Sequence, residues 1–282
     1  MTKRVQRSQN FQGVSPPGTL RISSLIETLC AAHLTSYVES PFQDRGGIFI
    51  VGPPSVLKST LLDIVARNYN DAISVSDINA RTLDDLRDQI AAKAIRTLVI
   101  PEYRKLHERH TYTSSNVEGT IRALVGEGFG AASFGDGRIN QMKARCTLLS
   151  AMQPKFQAEH FKAWEDSGFN RRFLWSLVRM NDPQILDRAV EDWQLLEFGI
   201  AHIPPVPSSI PNLTTREERA EMRRLVKYQP GGSASIQFAF MCKLLSVFKW
   251  WYKLMKRRDR DALAQVRAFA QTLGKEGAEL VL

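Results

Sequence analysis

The 282 residues include 43% hydrophobic and 24% charged side chains, an ordinary globular balance that excludes a largely disordered chain and a fibrous one. The longest apolar runs, at 48–51 and 97–100, are far shorter than the roughly 20 residues that span a membrane. Lys and Arg number 38 against 29 Asp and Glu, and the resulting net charge of +9 favours polyanionic partners without identifying one.

The cysteines and the N-terminal residues bear on the cellular compartment. Cys30, Cys146 and Cys242 are far apart in no metal-ligand spacing, which predicts reduced thiols. The first residues are basic, but no apolar stretch follows them, so we expect no secretory signal. These features predict a cytoplasmic protein that does not enter a membrane.

The first two hundred residues predict an α/β core. Residues 1–20 are polar and are expected to form a flexible arm, before a helix predicted over 23–37. Strand-like and helical runs then alternate: strands at 47–52, 71–77, 96–102, 145–152 and 173–180, and helices at 57–69, 82–93 and 115–126. Because the strand-like runs are apolar on both faces, they predict a parallel sheet covered by helices on both sides, over residues 21–200.

The remaining residues predict a linker and a second domain. Residues 201–213 contain four prolines and are typical of a linker. Helical patterns follow, so we expect a small helical domain over 214–282.

The strongest motif is GPPSVLKST, which lies directly after a predicted strand and directly before a predicted helix. Backbone N–H groups of such a loop point at phosphate oxygens, and the helix N-terminus adds positive potential. Lys58 would reach the β- and γ-phosphates of ATP, and the Ser59 hydroxyl would bind Mg²⁺, although Leu57 replaces the usual glycine. The alternative is a Pro-rich turn that caps a helix and leaves Lys58 in solvent. The predicted nucleotide-binding residues are Gly52, Pro53, Pro54, Ser55, Val56, Leu57, Lys58, Ser59 and Thr60.

Polar residues at later strand ends are the candidate catalytic groups. Glu102 follows the third predicted strand and would orient the attacking water, although Pro101 stands where a metal-binding Asp is expected. Alternatively, Glu102 is an ordinary surface residue. Gln153 follows the fourth strand, where its amide would hydrogen-bond the γ-phosphate or the water.

Two arginines precede the fifth predicted strand. Arg171 and Arg172 would stabilise the charge that develops on the transferred phosphoryl group. The alternatives are a solubility role or a salt bridge to Asp166.

Taken in order, these motifs resemble the AAA+ ATPases, and most nearly the minichromosome-maintenance (MCM) helicases. The resemblance covers residues 45–190 and rests on GPPSVLKSTLL, IPEYRKLHER, ARCTLLSAMQP and RRFLWSLVRMNDP. It implies ATP and Mg²⁺ as cofactors, Gln153 as the sensor-1 residue, and a homo-oligomeric ring, expected to be a hexamer. It also implies that Arg172 is an arginine finger acting on the neighbouring subunit's nucleotide, and that the C-terminal helices form a lid.

The chain also departs from that family. From the sequence we expect no zinc-binding or oligonucleotide-binding domain before the predicted ATPase core, and Pro101 stands where the family has its metal-site aspartate. A sensor-2 arginine is not assigned; Arg219, Arg223 and Arg224 are the candidates. Short chains of this kind are similar to ATPases of phages and integrated elements.

Two segments are candidates for DNA contact. Asp136-Gly137 predicts a hairpin turn, and MCM helicases touch DNA with a hairpin here, but Gly135 occupies their lysine position. The alternative is a hairpin that only extends the sheet. Residues 243–267 contain eight basic and two acidic side chains among aromatics, a pattern that contacts phosphates or stacks bases, or else forms a solvated face or a subunit interface. The predicted DNA-binding residues are Phe134, Arg138, Lys143, Lys249, Lys253, Lys256, Arg257 and Arg258.

The leading hypothesis is therefore an ATPase acting on DNA, as a helicase or helicase-loading motor in the replication of a phage or mobile element, with a possible replication partner protein. A second hypothesis, favoured by Pro101, is a nucleotide-gated ring or filament that serves as an adaptor and hydrolyses ATP slowly. The third is a remodeller of protein complexes, like the MoxR and magnesium-chelatase proteins.

Overall fold

A computed structural model describes most of the chain. The described residues are 22–40, 44–54, 58–75, 80–106, 111–128, 144–178, 203–227, 229, 235–255 and 259–270. The arm predicted over 1–20 lies outside these residues.

Five parallel strands form one sheet, which confirms the predicted α/β class. The strands are β1 (Gly47–Val51), β2 (Ala72–Ser74), β3 (Thr97–Ile100), β4 (Thr147–Met152) and β5 (Phe173–Leu177). Their order across the sheet is β2-β3-β4-β1-β5, and every neighbouring pair is parallel. Strand β1 is therefore an interior strand, with β4 on one side and the edge strand β5 on the other.

Helices connect and follow the strands. They are α1 (Ile22–Leu34), α2 (Lys58–Asn68), α3 (Ala80–Ala91), α4 (Thr111–Val125), α5 (Pro154–Asp166), α6 (Arg216–Val226), α7 (Ser235–Leu254) and α8 (Asp259–Ala270). Short 3₁₀ turns cover Thr35–Tyr37, Tyr103–Leu106 and Asn170–Arg172. Within the described part of the chain, no helix combines the length and the apolar character that crossing a membrane requires.

Alternate residues of the strands face two separate hydrophobic clusters. In β1, Ile48 and Ile50 pack with α1, α2 and the C-terminal helices, whereas Phe49 and Val51 pack with α4 and α5. All five β1 residues are buried, because each face of the sheet is covered by helices. The molecule therefore has three layers, with the sheet in the middle.

The C-terminal helices share a core with the sheet, although the sequence predicts a separate small domain. Residues of α6, α7 and α8 belong to the same hydrophobic cluster as Ile48 and Ile50 of β1. Gly46, just before β1, has a φ of 77°, and a Cβ there would lie 2.5 Å from the Phe240 ring of α7. The close approach of α7 to the start of β1 therefore requires glycine at this position.

The Pro-rich segment packs against the core, although a linker is predicted there. The Ile210 N–H donates to the Tyr37 carbonyl at 3.0 Å, and the Ile210 carbonyl accepts from the Glu39 N–H at 2.8 Å. Ile210 is fully buried, and the Tyr69 hydroxyl donates to the Pro204 carbonyl at 3.0 Å. Residues 203–210 therefore tie the C-terminal helices to the first part of the chain.

Lys243 of α7 is buried where this helix packs beside the start of β1. Lys243 is only 3% exposed, and its ammonium donates to the Asp44 carbonyl beside β1. Burial lowers the pKa of Lys243 to about 7; nearby Arg45 acts in the same direction, and Asp44 opposes it. Because the charged ammonium is disfavoured by burial, Lys243 makes the stability of the fold depend on pH.

The Lys243→Met substitution should remove that dependence. In the unfolded chain the lysine returns to its ordinary pKa of 10.5, so the unfolded state binds more protons between these two values, and stability rises with pH. Relative to Lys243→Met, the parent should gain about 3 kcal/mol of unfolding free energy between about pH 7 and about pH 10, measured by urea titration. The exposed Lys253 on the same helix provides the control, Lys253→Met, which should leave the pH profile unchanged. Identical pH profiles for parent and Lys243→Met would contradict this assignment.

Candidate functional site

The connections that follow β1 and β4 lead to opposite sides of the sheet: the chain goes from β1 toward β2, and from β4 past β1 to β5. Helix α2, which follows β1, lies on one face, because Leu61 and Leu62 pack with Ile48. Helix α5, which follows β4, lies on the other face, where Phe156 and Trp164 pack with Phe49. In open α/β sheets, ligands bind in the crevice that such diverging connections leave at the carboxyl ends of the strands.

The strand register brings three predicted site residues to this crevice. Val51 lies opposite Met152, so Gly52 and Gln153 leave adjacent strands at the same level, and the Gly52 N–H donates to the Met152 carbonyl at 3.2 Å. In β3, Ile100 lies opposite Ser150, which places Glu102 at the same edge, two strands and about 10 Å from Gly52. The structure therefore groups residues that are up to a hundred positions apart in the sequence.

Lys58 is the first residue of α2 and points back along its own loop. Its ammonium donates to the Gly52 carbonyl at 2.9 Å and also to the Pro53 carbonyl. Burial lowers the pKa of Lys58, and the negative charge of Glu102 acts in the opposite direction. Lys58 is therefore folded over the loop rather than extended into solvent, with the Glu102 carboxylate close enough to influence it.

The other loop residues have different positions. Pro53 and Thr60 are partly exposed, and Pro54 is exposed. Predicted residues Ser55, Val56 and Leu57 lie outside the described residues.

Ser59 links the start of α2 to the end of β3. Its hydroxyl donates to the Pro101 carbonyl at 3.4 Å, so it lies beside the residue that precedes Glu102. In the described part of the chain, no group of three or more His, Cys, Asp and Glu side chains forms a metal site. These residues could hold Mg²⁺ only through one or two protein oxygens, with phosphate and water oxygens completing its coordination.

Glu102 forms an ion pair with Lys105, which the sequence motifs do not identify. The Lys105 ammonium lies 3.2 Å from a Glu102 carboxylate oxygen, and both side chains are substantially exposed. Glu102 and Lys105 are three positions apart in the sequence, a spacing that allows an ion pair on a helical turn. The pair forms here because a 3₁₀ turn follows β3. Lys105 keeps a positive charge beside the candidate base.

Arg172 lies at the opposite edge of the sheet from Lys58. It precedes Phe173, which pairs with Gly47 at the start of β1, whereas Gly52 follows the end of that strand. The two edges are about 15 Å apart at the rise of a β-strand. Arg172 therefore does not reach the crevice of its own chain.

The Arg172 side chain is held in place by neighbours. Its guanidinium donates to the Gly168 carbonyl at 2.7 Å and forms an ion pair with Glu127 at 3.2 Å. Burial lowers the pKa of Arg172, while Glu127 acts to raise it. The observed partner is thus Glu127 instead of Asp166, and Arg171 beside it is exposed.

Two glutamines of the C-terminal part cover the edge of β5. The Gln237 amide donates to the carbonyls of Asn170, at 3.1 Å, and Phe173, at 2.8 Å, on either side of the two arginines. The Gln229 side chain accepts from the Trp175 N–H at 2.8 Å and donates to the Ala270 carbonyl at 3.3 Å. These side chains take hydrogen bonds that a further strand would make at the edge of β5. Gln237 fixes residues 170–173, which we call the arginine segment, to α7, and Gln229 joins β5 to α8.

The structure corrects one of the predicted DNA contacts. Lys249 is 6% exposed, and its ammonium binds the Glu218 carboxylate at 3.1 Å and the Leu213 carbonyl at 3.0 Å, so it offers no cation at the surface. Neighbouring Phe248, Trp251 and Tyr252 are buried in the core. Lys253 is exposed. The remaining predicted contacts lie outside the described residues: Phe134, Arg138, Lys143, Lys256, Arg257 and Arg258.

Neither a scan against protein-family models nor a search of curated proteins found a match to this chain.

Gln237→Met should destabilise the protein by about 1–3 kcal/mol, because it removes the amide donor of the Phe173 carbonyl and leaves the Asn170 carbonyl with only the Trp175 indole N–H at 3.5 Å. Urea unfolding measures the loss. The matched control is Gln89→Met on the exposed side of α3, which is expected to cost little. Equal stability of the two variants would show that the amide does not hold the arginine segment.

Proposed function

We propose that this protein is a P-loop ATPase of the AAA+ type that acts on DNA, as a helicase or helicase-loading motor in the replication of a phage or mobile element. The observation that carries the proposal is the meeting of Lys58, Glu102 and Gln153 at the crevice between β1 and β4. The all-parallel sheet and its strand ends support a phosphate site at this edge.

In this proposal, the residues of the crevice divide the work of hydrolysis. Lys58 exchanges its loop carbonyls for phosphate oxygens, and the N–H groups at the start of α2 bind the same anion. Glu102 accepts a proton from the attacking water, while the Gln153 amide orients that water. Mg²⁺ bound with ATP, held through Ser59, would neutralise charge on the phosphates.

Arg172 completes the site from a neighbouring subunit. An arginine that stabilises the transferred phosphoryl group must lie against it, and Arg172 is at the far edge of its own sheet. A ring of subunits, expected to be a hexamer, would bring this edge of one copy to the crevice of the next.

A slow, nucleotide-gated adaptor is the second candidate. Pro101 favours it, because at the metal-binding position this residue presents a backbone carbonyl to Ser59 in place of a carboxylate. The steady-state ATPase rate with and without single-stranded DNA separates the candidates. A motor should turn over faster with DNA; tight ATP binding with negligible turnover would assign the adaptor, and turnover indifferent to DNA would favour a remodeller of protein complexes.

Lys58→Ala should abolish ATP binding, because the proposed phosphate ligand is removed. The protein should stay folded, because the Lys58 side chain is only partly buried and its ammonium contacts loop carbonyls. A fluorescent ATP analogue measures binding, and circular dichroism measures folding. Lys162→Ala, at an exposed position of α5, is the control and should bind normally. Unchanged affinity in Lys58→Ala would remove the nucleotide site from the proposal.

Arg172→Ala should keep ATP binding and lose about a thousandfold or more in turnover. Mixing it with Lys58→Ala should restore activity, because some interfaces then combine an intact Lys58 with an intact Arg172 from the next subunit. The readout is ATP hydrolysis by the mixture against each variant alone. A mixture as inactive as its components would show that Arg172 does not act between subunits.

A further inference from the structure

The outer side of α6 presents a row of positive charges. Arg216, Arg219, Arg223 and Lys227, which caps the helix, are all exposed. At 100° per residue they lie within an arc of about 80°, and they extend over about 17 Å of the helix. We call these four residues the α6 stripe. A row of exposed cations is often only a solvated face. Whether this one can attract an anionic partner depends on whether acidic residues of the same helix neutralise it.

Two of the three acids on α6 are turned away from the stripe. The Glu218 carboxylate binds the buried Lys249 ammonium and accepts from the Thr215 N–H at 2.8 Å, closing the N-terminal cap of the helix. Glu221 forms ion pairs with Arg267 and Arg224, at 3.1 and 3.0 Å. Both carboxylates are only 17% exposed. Glu218 is therefore balanced by the buried Lys249, and Glu221 by Arg224 and Arg267, rather than by the residues of the stripe.

The third acid is at the flank of the stripe. Glu217 is exposed, and its pKa is lowered first by a backbone hydrogen bond, then by a hydrogen bond to the Thr215 side chain and by the charge of Arg219. Among the described residues, no carboxylate lies within ion-pair distance of Arg216, Arg223 or Lys227. The stripe thus keeps most of its charge for an external partner.

The helix that carries the stripe is rigidly attached. Met222, Leu225 and Val226 on its inner side are buried in the main hydrophobic core. The Arg223 guanidinium lies over the Phe238 ring of α7, 5.0 Å from its centre, which orients that side chain. The positions of the four residues along the helix are therefore set by the fold before any partner binds.

We propose that the α6 stripe binds the sugar-phosphate backbone of a nucleic acid strand. Phosphates repeat every 3.4 Å along the axis for each strand of duplex DNA, so about 17 Å of helix faces about five of them. Contacts of this kind position the nucleic acid without reading its sequence. The proposal rests on the proposed action on DNA, and it adds a surface distinct from the segments predicted to contact DNA.

The test neutralises three members of the stripe together and leaves Arg223 stacked on Phe238. The combined variant carries Arg216→Gln, Arg219→Gln and Lys227→Gln. Fluorescence anisotropy with a labelled oligodeoxythymidine single strand, and with a duplex, measures binding by nucleotide-free full-length protein over a series of salt concentrations. Affinity should fall about 10- to 100-fold, and the slope of log K against log [salt] should become shallower by about 2 for the single strand.

A control with the same change in net charge separates a local surface from general attraction. It carries Arg67→Gln, Lys93→Gln and Lys162→Gln, three exposed cations on other helices and turns. Thermal unfolding midpoints equal to that of the parent establish that both variants fold. Binding lost in the stripe variant and kept in the control supports the proposal; equal loss in both, or no loss in the stripe variant, overturns it.

Two further outcomes separate this proposal from the proposed function. ATP binding is measured on a variant that carries only Arg216→Gln and Lys227→Gln and so keeps the sensor-2 candidates Arg219 and Arg223. It should be unchanged, because neither substituted residue belongs to the crevice. A parent that binds polyglutamate through the stripe but binds neither DNA probe would assign the surface to an acidic protein and overturn the proposal. A parent that binds DNA through the stripe but fails to bind ATP would uphold the proposal and reject the ATPase.

Discussion

The position of β4 beside β1 is the constraint on which the candidate site depends. Because the connection after β1 leaves on one face and the connection after β4 leaves on the other, neither helix covers the carboxyl ends of the two strands. The Gly52 N–H to Met152 carbonyl bond keeps the two ends level. Lys58, Glu102 and Gln153 come from three different loops, and the adjacency of β3, β4 and β1 brings these loops to one edge of the sheet.

The same sheet holds the arginine segment at its other edge. In the part of the chain that the structure describes, glutamine side chains bind the free edge of β5, so Arg172 lies between the α/β layers and the C-terminal helices. Any movement of α7 relative to β5 would be felt first by the Asn170 and Phe173 carbonyls that Gln237 binds. The ion pair with Glu127 adds a second restraint. These contacts couple the C-terminal helices to Arg172, the residue that we propose acts on the neighbouring subunit.

The sequence predicts the sheet well because its signals are local. Runs that are apolar on both faces, such as residues 47–52, require no knowledge of what covers them. The loop with Lys58 follows from its place between a strand and a helix. The Lys105, Glu127 and Gln237 contacts form across turns or between distant elements, and periodicity does not encode such pairings. Helix α5 is absent from the predicted helices, since it begins at Pro154 and its apolar positions are few.

Lysines are where pattern reasoning about charge fails in this chain, and the reason is physical. The density of basic residues near 243–267 suggests a cationic surface, yet the fold buries Lys243 and Lys249, each with an oxygen partner that no spacing rule identifies. The carboxylate that accepts Lys249 comes from Glu218 of α6, so burying one cation also removes an acid from the surface of that helix. This internal ion pair leaves the net charge of the protein unchanged. It removes a positive charge from the surface of α7 and a negative charge from the surface of α6, so the exposed positive charge lies on the outer side of α6.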